Sequence, residues 1–177
     1  MKKLFSFAIF TFFLLNFSFG QKFAFIDSEY ILSNVPEYKE AKKQLDELSK
    51  QWEKQANNLF EEVEKMKRDL EAEEILLTEG MKNSREEKII EKEQTAKDFQ
   101  KEKFGVDGEL FKKRKELMKP IQDKLYKALQ ETANVGKYSI IFDKAGGGAT
   151  MVYTNAKYDK SDDILKRMGY KPGEANR

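Results

Sequence analysis

Residues 36–77 read PEYKEAKKQLDELSKQWEKQANNLFEEVEKMKRDLEAEEILL, and this stretch decides the fold. From Glu37 to Leu77 it has neither Gly nor Pro, and 20 of its 41 residues are charged. Apolar residues recur mostly three, four or seven positions apart, which is typical of a coiled-coil seam, and Gln55 is expected at one seam position. The apolar seam residues are Tyr38, Ala41, Leu45, Leu48, Trp52, Leu59, Val63, Met66, Leu70 and Leu77. Pro36 favours a helix start here, since a first-turn residue has no N–H partner to lose.

A second helical pattern follows and predicts an antiparallel return. We expect the chain to reverse at Thr78–Met81, because Gly80 interrupts the pattern there. Gly105 and Gly108 interrupt the return helix, and they are either pivots of the hairpin or tolerated irregularities. Pro120 is expected to kink the same helix. Two helices of forty-odd residues, at 1.5 Å per residue, predict a hairpin on the order of 60 Å long over residues 37–117.

Short strand patterns lie on both sides of this hairpin. Lys22–Asp27 (KFAFID) reads as a strand that ends in a helix cap at Asp27-Ser28. Tyr138–Asp143 (YSIIFD) and Ala149–Tyr153 (ATMVY) are expected to form a β-hairpin. A short helix capped by Ser161 or Asp162 should then end at Gly169. The predicted fold class is α+β, mainly α by content, with a small β-sheet body formed by residues 21–36 and 118–177.

The predicted sheet indicates an oligomer. Three strands of about sixteen residues in total are too few to be stable alone and leave edges unpaired. Apolar side chains nevertheless occupy both faces of these strands. We expect other copies of the chain to cover them in a shared oligomer core. The core residues are predicted to be Phe23, Phe25, Ile140, Phe142, Met151 and Tyr153.

The N-terminus has the layout of a signal peptide. Lys2 and Lys3 precede an uncharged run that is apolar from Leu4 to Leu15 and too short for a spanning helix. Ser18 and Gly20 provide the small side chains that precede a cleavage site, so residues 1–20 are expected to be removed. We therefore predict export to the periplasm without stable membrane insertion after cleavage.

Composition excludes several function classes. The chain has no His and no Cys, which removes His-based triads, Cys nucleophiles and the usual zinc sites. Gly146-Gly147-Gly148 lacks the Lys-Ser/Thr of a phosphate loop and is better interpreted as a turn. Without Lys2 and Lys3 the chain has 31 basic and 31 acidic residues, so no nucleic-acid role is indicated. We predict no catalytic residues, no metal and no cofactor.

Aromatic residues on the two helices could pack within the hairpin or contact another polypeptide. Trp52 and Phe99 lie on the seam, which favours packing. Phe60, Phe104 and Phe111 fall off the best seam, and they are therefore the candidate contacts for a partner that binds through apolar surface.

The order of these features resembles the Skp/OmpH family of periplasmic chaperones over essentially the whole mature chain. The similar stretches are FAFIDSEYILSNVPEYKEAKKQL (23–45), GELFKKRKELMKPIQDKLYKAL (108–129), YSIIFD (138–143) and SDDILKRMG (161–169). The resemblance implies a homotrimer with a β-sheet body and helical arms enclosing a cavity for unfolded outer-membrane proteins. Well-known members are strongly basic and this mature chain is neutral, so no lipopolysaccharide-binding residues are carried over.

The function expected from the sequence is an ATP-independent holdase that prevents aggregation of unfolded outer-membrane proteins, with no enzymatic activity. One alternative is a structural coiled-coil scaffold of the cell envelope, which would form one stable complex instead of binding many clients. A carboxylate-dependent hydrolase is a further alternative, and it would need paired acids with perturbed pKa values.

Overall fold

The computed structural model describes residues 21–146 and 151–173. The signal-peptide prediction for residues 1–20 lies outside this range, as do Gly147 and Gly148. In chain order, the elements are β1 (Lys22–Ile26), α1 (Ser28–Ser33), α2 (Pro36–Glu73), α3 (Glu79–Phe104), α4 (Glu109–Gly136), β2 (Tyr138–Asp143) and α5 (Ser161–Arg167), with 3₁₀ turns at Glu74–Leu76 and Ala156–Tyr158. The chain forms two compact units: a hairpin unit, Val35–Lys124, and a sheet unit, made of the residues up to Asn34 and from Leu125 onward. The predicted α+β class, mainly helical with a long helical hairpin and a small sheet, is confirmed, and within the described residues the sheet consists of one pair of strands.

In the hairpin unit, α2 and α3 pack against each other. Ion pairs join them in antiparallel order. Lys92 Nζ lies 2.5 Å from Glu62 Oε2, and Arg85 lies 2.8 Å from Glu73 Oε2. These pairs are exposed, so each contributes at most about 1 kcal/mol and they mainly set the register. The long helix and its return are as the spacing of apolar residues predicted.

Along α2 the buried seam differs from the predicted one at a single step. Ala56 is buried, whereas Gln55 is exposed. The assignment of Gln55 to the seam is therefore wrong. Ala56 lies four residues after Trp52 and seven before Val63, and a helix with 3.6 residues per turn keeps those three on one face without placing a polar amide there. The buried residues of this unit include Ala41, Leu45, Ala56, Val63, Ile89, Ala96 and Ile121.

The reversal between α2 and α3 occurs earlier than predicted. The 3₁₀ turn Glu74–Leu76 and the extended Leu77 turn the chain, and Thr78 caps α3 by accepting a hydrogen bond from Met81 N–H. Gly80 already lies inside the helix and has no need of glycine's conformational freedom, since a Cβ there would meet nothing within 4 Å. The prediction of a reversal centred on Thr78–Met81 was therefore wrong in detail, because Thr78 begins the helix instead of ending the previous one.

Two further predictions concern Gly105 and Pro120 on the return helix. The return helix does break between Phe104 and Glu109, where Gly105 ends α3. Pro120 lies inside α4, which runs as one helix from Glu109 to Gly136, and the kink expected there stays a prediction. The loss of one backbone hydrogen bond at Pro120 is thus tolerated within a long helix.

The sheet unit contains a pairing that the sequence did not predict. β1 and β2 are parallel, with Phe23 opposite Ile140 and Phe25 opposite Phe142. On the other edge of β1, Asp159 forms a single parallel bridge to Phe25, and Lys160 N–H donates to the Phe25 carbonyl oxygen at 2.9 Å. Among the described residues, β1 is therefore the central strand.

The predicted β-hairpin is consequently wrong in its described part. Met151, Val152 and Tyr153 form no strand, while Ala149 and Thr150 lie outside the described residues. The physical reason is the choice of partner. β2 pairs in parallel with the distant β1, whose other edge is occupied by Asp159 and Lys160 through a main-chain hydrogen bond.

A polar network joins the ends of the strands to the helices of this unit. Asp27 caps α1 by accepting a hydrogen bond from Tyr30 N–H, as predicted. The backbone N–H of Asp27 in turn donates to the buried Ser161 hydroxyl at 2.9 Å. Ser161 Oγ donates to Asp159 Oδ1 at 2.6 Å. The bond between Asp27 and Ser161 connects residues 134 positions apart and fixes α5 beside the end of β1.

Helix α5 completes the core of the sheet unit. It packs against α1 and buries Ile164 and Leu165 completely. Its N-cap is Lys160, so the predicted cap at Ser161 or Asp162 is wrong by one residue, because the Ser161 hydroxyl is used across the fold instead. Gly169 ends the helix as predicted. Its φ of +86° is left-handed, and Tyr170 N–H donates back to the Leu165 carbonyl oxygen at 2.9 Å.

Candidate functional site

One face of the two-stranded sheet is apolar and largely open. The parallel register places Phe23 beside Ile140 and Phe25 beside Phe142 on the same face. Phe23 is 57% exposed, Ile140 51% and Phe142 42%, whereas Phe25 is buried. Residues that alternate with them, such as Ala24 and Ile26, are buried. The sheet therefore has one face covered within the chain and one apolar face that the described chain leaves open.

Further apolar side chains of the same unit are also exposed. Tyr158 lies with its ring centroid 6.1 Å from that of Phe23 and covers it only in part. Val152 and Tyr153 are almost fully exposed, while Met151 is half-buried. Of the six predicted oligomer-core residues, only Phe25 is buried in the single chain. Their role in an oligomer stays a prediction at this point.

Asp143 closes the end of the sheet beside this face. Burial alone would raise the pKa of its carboxyl group. Hydrogen bonds from the hydroxyl and N–H of Ser28 and from the N–H groups of Ala145 and Gly146 outweigh burial, so the pKa lies below its ordinary value. Ser28 N–H donates to Asp143 Oδ1 at 3.1 Å. The carboxylate remains ionised and holds the end of β2 to the start of α1 through these hydrogen bonds.

An aromatic and cationic cluster lies where the return helix breaks. Phe104 meets Trp52 edge to face, with ring centroids 6.3 Å apart. Lys103 Nζ lies 5.3 Å from the centre of the Trp52 ring and 5.6 Å from that of Phe99. Such geometry combines T-shaped packing with cation–π attraction. The expected packing role of Trp52 and Phe99 is compatible with these contacts, and Phe104 packs here as well.

Lys103 also connects the two sides of the break. Its Nζ lies 2.9 Å from Glu109 Oε2 at the start of α4 and 2.9 Å from Glu102 Oε1. Hydrogen bonds to Glu109 and then to Glu102 raise the pKa of Lys103 above its ordinary value. No pattern in the sequence singled out Lys103. The signal that could have found it is a Lys directly before Phe104 and four residues after Phe99, since positions four apart share a helix face.

The two glycines of the break are closely surrounded by backbone. A Cβ at Gly105 would collide with the Lys101 carbonyl oxygen. At Gly108 it would lie 2.8 Å from the Glu102 oxygen and 2.9 Å from the Lys103 oxygen. Both residues are therefore needed sterically for the connection between α3 and α4. Their role as pivots stays a prediction.

The three candidate partner contacts have different surroundings. Phe104 packs on Trp52, as described above. Phe60 is half-buried beside an open surface depression of about 770 Å³, which is lined by polar and charged residues of α2 such as Asn57, Glu61 and Arg68. Phe111 is half exposed. The structure does not bring the three together into one patch, and Phe111 is the most accessible of them.

Metal-binding clusters and membrane-spanning helices are both absent from the described residues. Among residues 21–146 and 151–173 no cluster of three or more His, Cys, Asp or Glu side chains is arranged to hold a metal ion. Within the same ranges, every helix is too short or too polar to cross a bilayer. What the described surface does offer is exposed apolar side chains set among charged ones.

Comparisons with known proteins agree with this architecture. The family model described as outer membrane protein (OmpH-like) matches residues 22–168. A similar solved structure is that of a candidate outer membrane chaperone (OmpH-like) from Caulobacter crescentus CB15. It has a TM-score of 0.64 and 12% sequence identity, and it covers 87% of this chain and 90% of that one. Its likeness shows a shared fold. No match to the chain is found among curated proteins.

Proposed function

Because the chain belongs to the OmpH-like outer membrane protein family, we propose that it is an ATP-independent holdase of the periplasm. It binds unfolded outer-membrane proteins and prevents their aggregation, and it has no enzymatic activity. A protein that binds only the unfolded form of a client lowers the concentration of free client that can aggregate. Such binding needs neither a nucleotide nor a catalytic group.

The observation that carries this proposal is the surface of the hairpin unit. Its helices are highly charged, and single apolar side chains stand out between the charges, among them Ile90, Val106 and Phe111. An unfolded chain presents short apolar stretches with no fixed shape. Many weak and separate contacts suit such a client better than one deep pocket does, because no single client conformation has to be selected.

For the sheet unit, we propose assembly into a homotrimer through the open apolar face. Phe23, Ile140 and Phe142 are well exposed in the single chain, together with Val152 and Tyr153. Full burial of such a side chain contributes roughly 1.5–3 kcal/mol. A second and third copy that present the same face would bury all of these side chains without any further partner.

Within the hairpin unit, we propose Phe60, Phe104 and Phe111 as client contacts and Gly105 with Gly108 as the pivot. Exposure supports Phe111 most directly. Phe104 would contact a client only by leaving the Trp52 ring. The break in the helix between Phe104 and Glu109 supports the pivot, because a link between two helices can bend at a lower cost than a helix interior can.

The test is light scattering from a denatured outer-membrane barrel protein that is diluted into buffer with or without the purified exported protein. We expect scattering to fall in the presence of the protein and to be unaffected by ATP. Several unrelated barrels should be protected. Protection of none, or one stable complex with a single envelope protein, would contradict the holdase and favour a scaffold.

Two further measurements check the remaining parts of the proposal. N-terminal sequencing of the exported protein should give Gln21 as the first residue. The mass in solution should correspond to three copies. A monomer that is stable and protects clients would contradict the trimer while leaving the holdase in place.

A further inference from the structure

The turn between α2 and α3 exposes two neighbouring apolar side chains. Ile75 is 97% exposed and Leu76 is 82% exposed, which makes them more accessible than Phe111. Met81, in the first turn of α3, is 50% exposed. We call Ile75, Leu76 and Met81 the turn patch. Isolated exposed apolar residues are common, but adjacent ones at the end of a charged hairpin are not required by the fold.

The turn is held by other groups. The Leu77 N–H donates to the Glu74 carbonyl oxygen at 3.3 Å, and the Lys82 N–H donates to that of Thr78 at 2.9 Å. Lys82 Nζ lies 2.5 Å from Glu74 Oε1 across the turn. This hydrogen bond lowers the pKa of Glu74 and raises that of Lys82. None of these bonds uses the side chain of Ile75 or Leu76, so polar residues would serve the turn equally well.

The charge around the turn patch restricts its partner. Residues 71–87 contain six acidic and two basic side chains, and the two bases are paired with Glu73 and Glu74. Glu79 and Glu86 lie close enough to Lys82 to raise its pKa. An anionic lipid surface would be repelled by this excess of negative charge, and so would the same turn of a second copy. An apolar stretch flanked by Lys or Arg would be attracted.

We propose that the turn patch is a client-binding site for apolar segments of unfolded polypeptides that carry flanking basic residues. This inference rests on the proposed holdase function and names a site and a client class for it. Ile75 and Leu76 provide the apolar contact, and the surrounding carboxylates select the basic flanks. Because the turn is held by its own backbone bonds and ion pairs, the two side chains are presented to a client without a conformational change.

The test compares the wild type with three double variants. Ile75→Ser with Leu76→Ser removes the apolar pair. The matched control, Tyr126→Ser with Val135→Ser, removes two exposed apolar side chains of α4 to which no client contact is assigned, and these are 63% and 71% exposed. Glu79→Gln with Glu86→Gln reduces the charge and keeps the patch. Thermal unfolding should be almost the same for the wild type and both serine variants.

The probes are two labelled peptides that share one apolar centre and carry either lysines or glutamates at both ends. Fluorescence anisotropy should show tighter binding of the lysine-flanked peptide to the wild type. The Ile75→Ser/Leu76→Ser variant should bind it about tenfold more weakly, since 1.4 kcal/mol corresponds to tenfold. The control should bind like the wild type, and the glutamine variant should lose most of the preference between the two peptides.

Other results would overturn the inference. Wild-type affinity in the Ile75→Ser/Leu76→Ser variant, or an equal loss in the control, would show that the patch has no special role. A change of oligomer mass in that variant would identify the patch as a contact between copies. Binding of the patch to phosphatidylglycerol or phosphatidylethanolamine vesicles, but to neither peptide, would identify a lipid site. Each of these results leaves the holdase intact, whereas a wild type that fails to suppress barrel aggregation contradicts both proposals.

Discussion

The hairpin unit and the sheet unit differ in how far a single chain buries their apolar residues. In the hairpin unit, Ala56 and Ala96 are buried along the seam within one chain, and ion pairs such as Lys92 with Glu62 set the register. In the sheet unit, one face is covered by the chain, while Phe23, Ile140 and Phe142 on the other face remain exposed. The hairpin unit therefore buries its seam within a single copy. The open face of the sheet unit stays exposed unless another molecule covers it.

The strongest test of this difference is to place charges on the open face. In the double variant Ile140→Asp with Phe142→Asp, assembly would require burial of two carboxylates where two apolar side chains stood. We expect a dissociation constant raised on the order of a hundredfold or more, seen as a shift to monomer mass by light scattering. Ile90→Asp with Val106→Asp in the hairpin unit is the matched control and should keep the wild-type mass. An unchanged mass in both variants would refute a shared face.

The covered side of the sheet unit gives the next largest effect. Ile164 is completely buried, so Ile164→Ala should lower the free energy of unfolding by about 2–5 kcal/mol. Ile90→Ala, at an exposed position in the hairpin unit, is the control and should change the free energy by less than about 0.5 kcal/mol. Chemical denaturation followed by circular dichroism measures both. Equal effects would mean that the sheet unit has no core of its own.

A smaller effect is expected at the break in the return helix. A Cβ at Gly108 would meet three backbone atoms at 2.8–2.9 Å, so Gly108→Ala should cost about 1–3 kcal/mol and lower the melting temperature. The control is Gly80→Ala, where the added Cβ meets nothing and helix propensity improves by about 0.5–1 kcal/mol. The two variants should thus shift the melting temperature in opposite directions. Shifts of the same sign would show that the break is not sterically constrained.

The smallest expected effect is on the pH dependence of the stability of the sheet unit. The folded pKa of Asp143 is lowered, so its carboxylate stabilises the fold above its ordinary pKa of about 3.9 and loses that contribution as the pH falls through the lower folded value. Asp143→Asn should remove this part of the acid dependence and cost about 1 kcal/mol at neutral pH. Asp123→Asn, at an exposed position on α4, is the control. Identical acid-unfolding curves for the wild type and Asp143→Asn would contradict this role.

The same contrast explains what could be predicted from the sequence. The helices of the hairpin unit follow from local rules: Pro36 starts α2, and apolar residues three or four apart define its buried face. The caps at Asp27 and Gly169 were also predictable, because each depends on the backbone within a few residues. Local patterns could not choose between Gln55 and Ala56, since a stutter changes the register by a fraction of a turn.

The sheet could not be derived in this way. Strand patterns indicate that a segment is extended, but its partner and direction depend on distant residues. The parallel pairing of β1 with β2, and the bridge from Asp159, unite segments at opposite ends of the sequence. The local sequence pattern favoured a hairpin between two strands that follow each other in the chain. For the candidate site, the apolar residues of the open face were predicted, whereas Lys103 and the exposure of Ile75 and Leu76 depend on the three-dimensional structure.

The central position of β1 has a consequence for the order of folding. β1 lies at the start of the described chain, but the groups that hold this region come from the C-terminal part of the sequence. Asp143 accepts a hydrogen bond from Ser28, 115 positions earlier, and the Ser161 hydroxyl accepts one from Asp27, 134 positions earlier. A polypeptide that emerges from its N-terminus can close the hairpin between α2 and α3 early, because those contacts are local. The open face of the sheet cannot form until β2, which ends at Asp143, has been synthesised. In the proposed trimer, a copy could therefore not join the others before β2 has formed, and pulsed hydrogen exchange should show amide protection in α2 and α3 before β1.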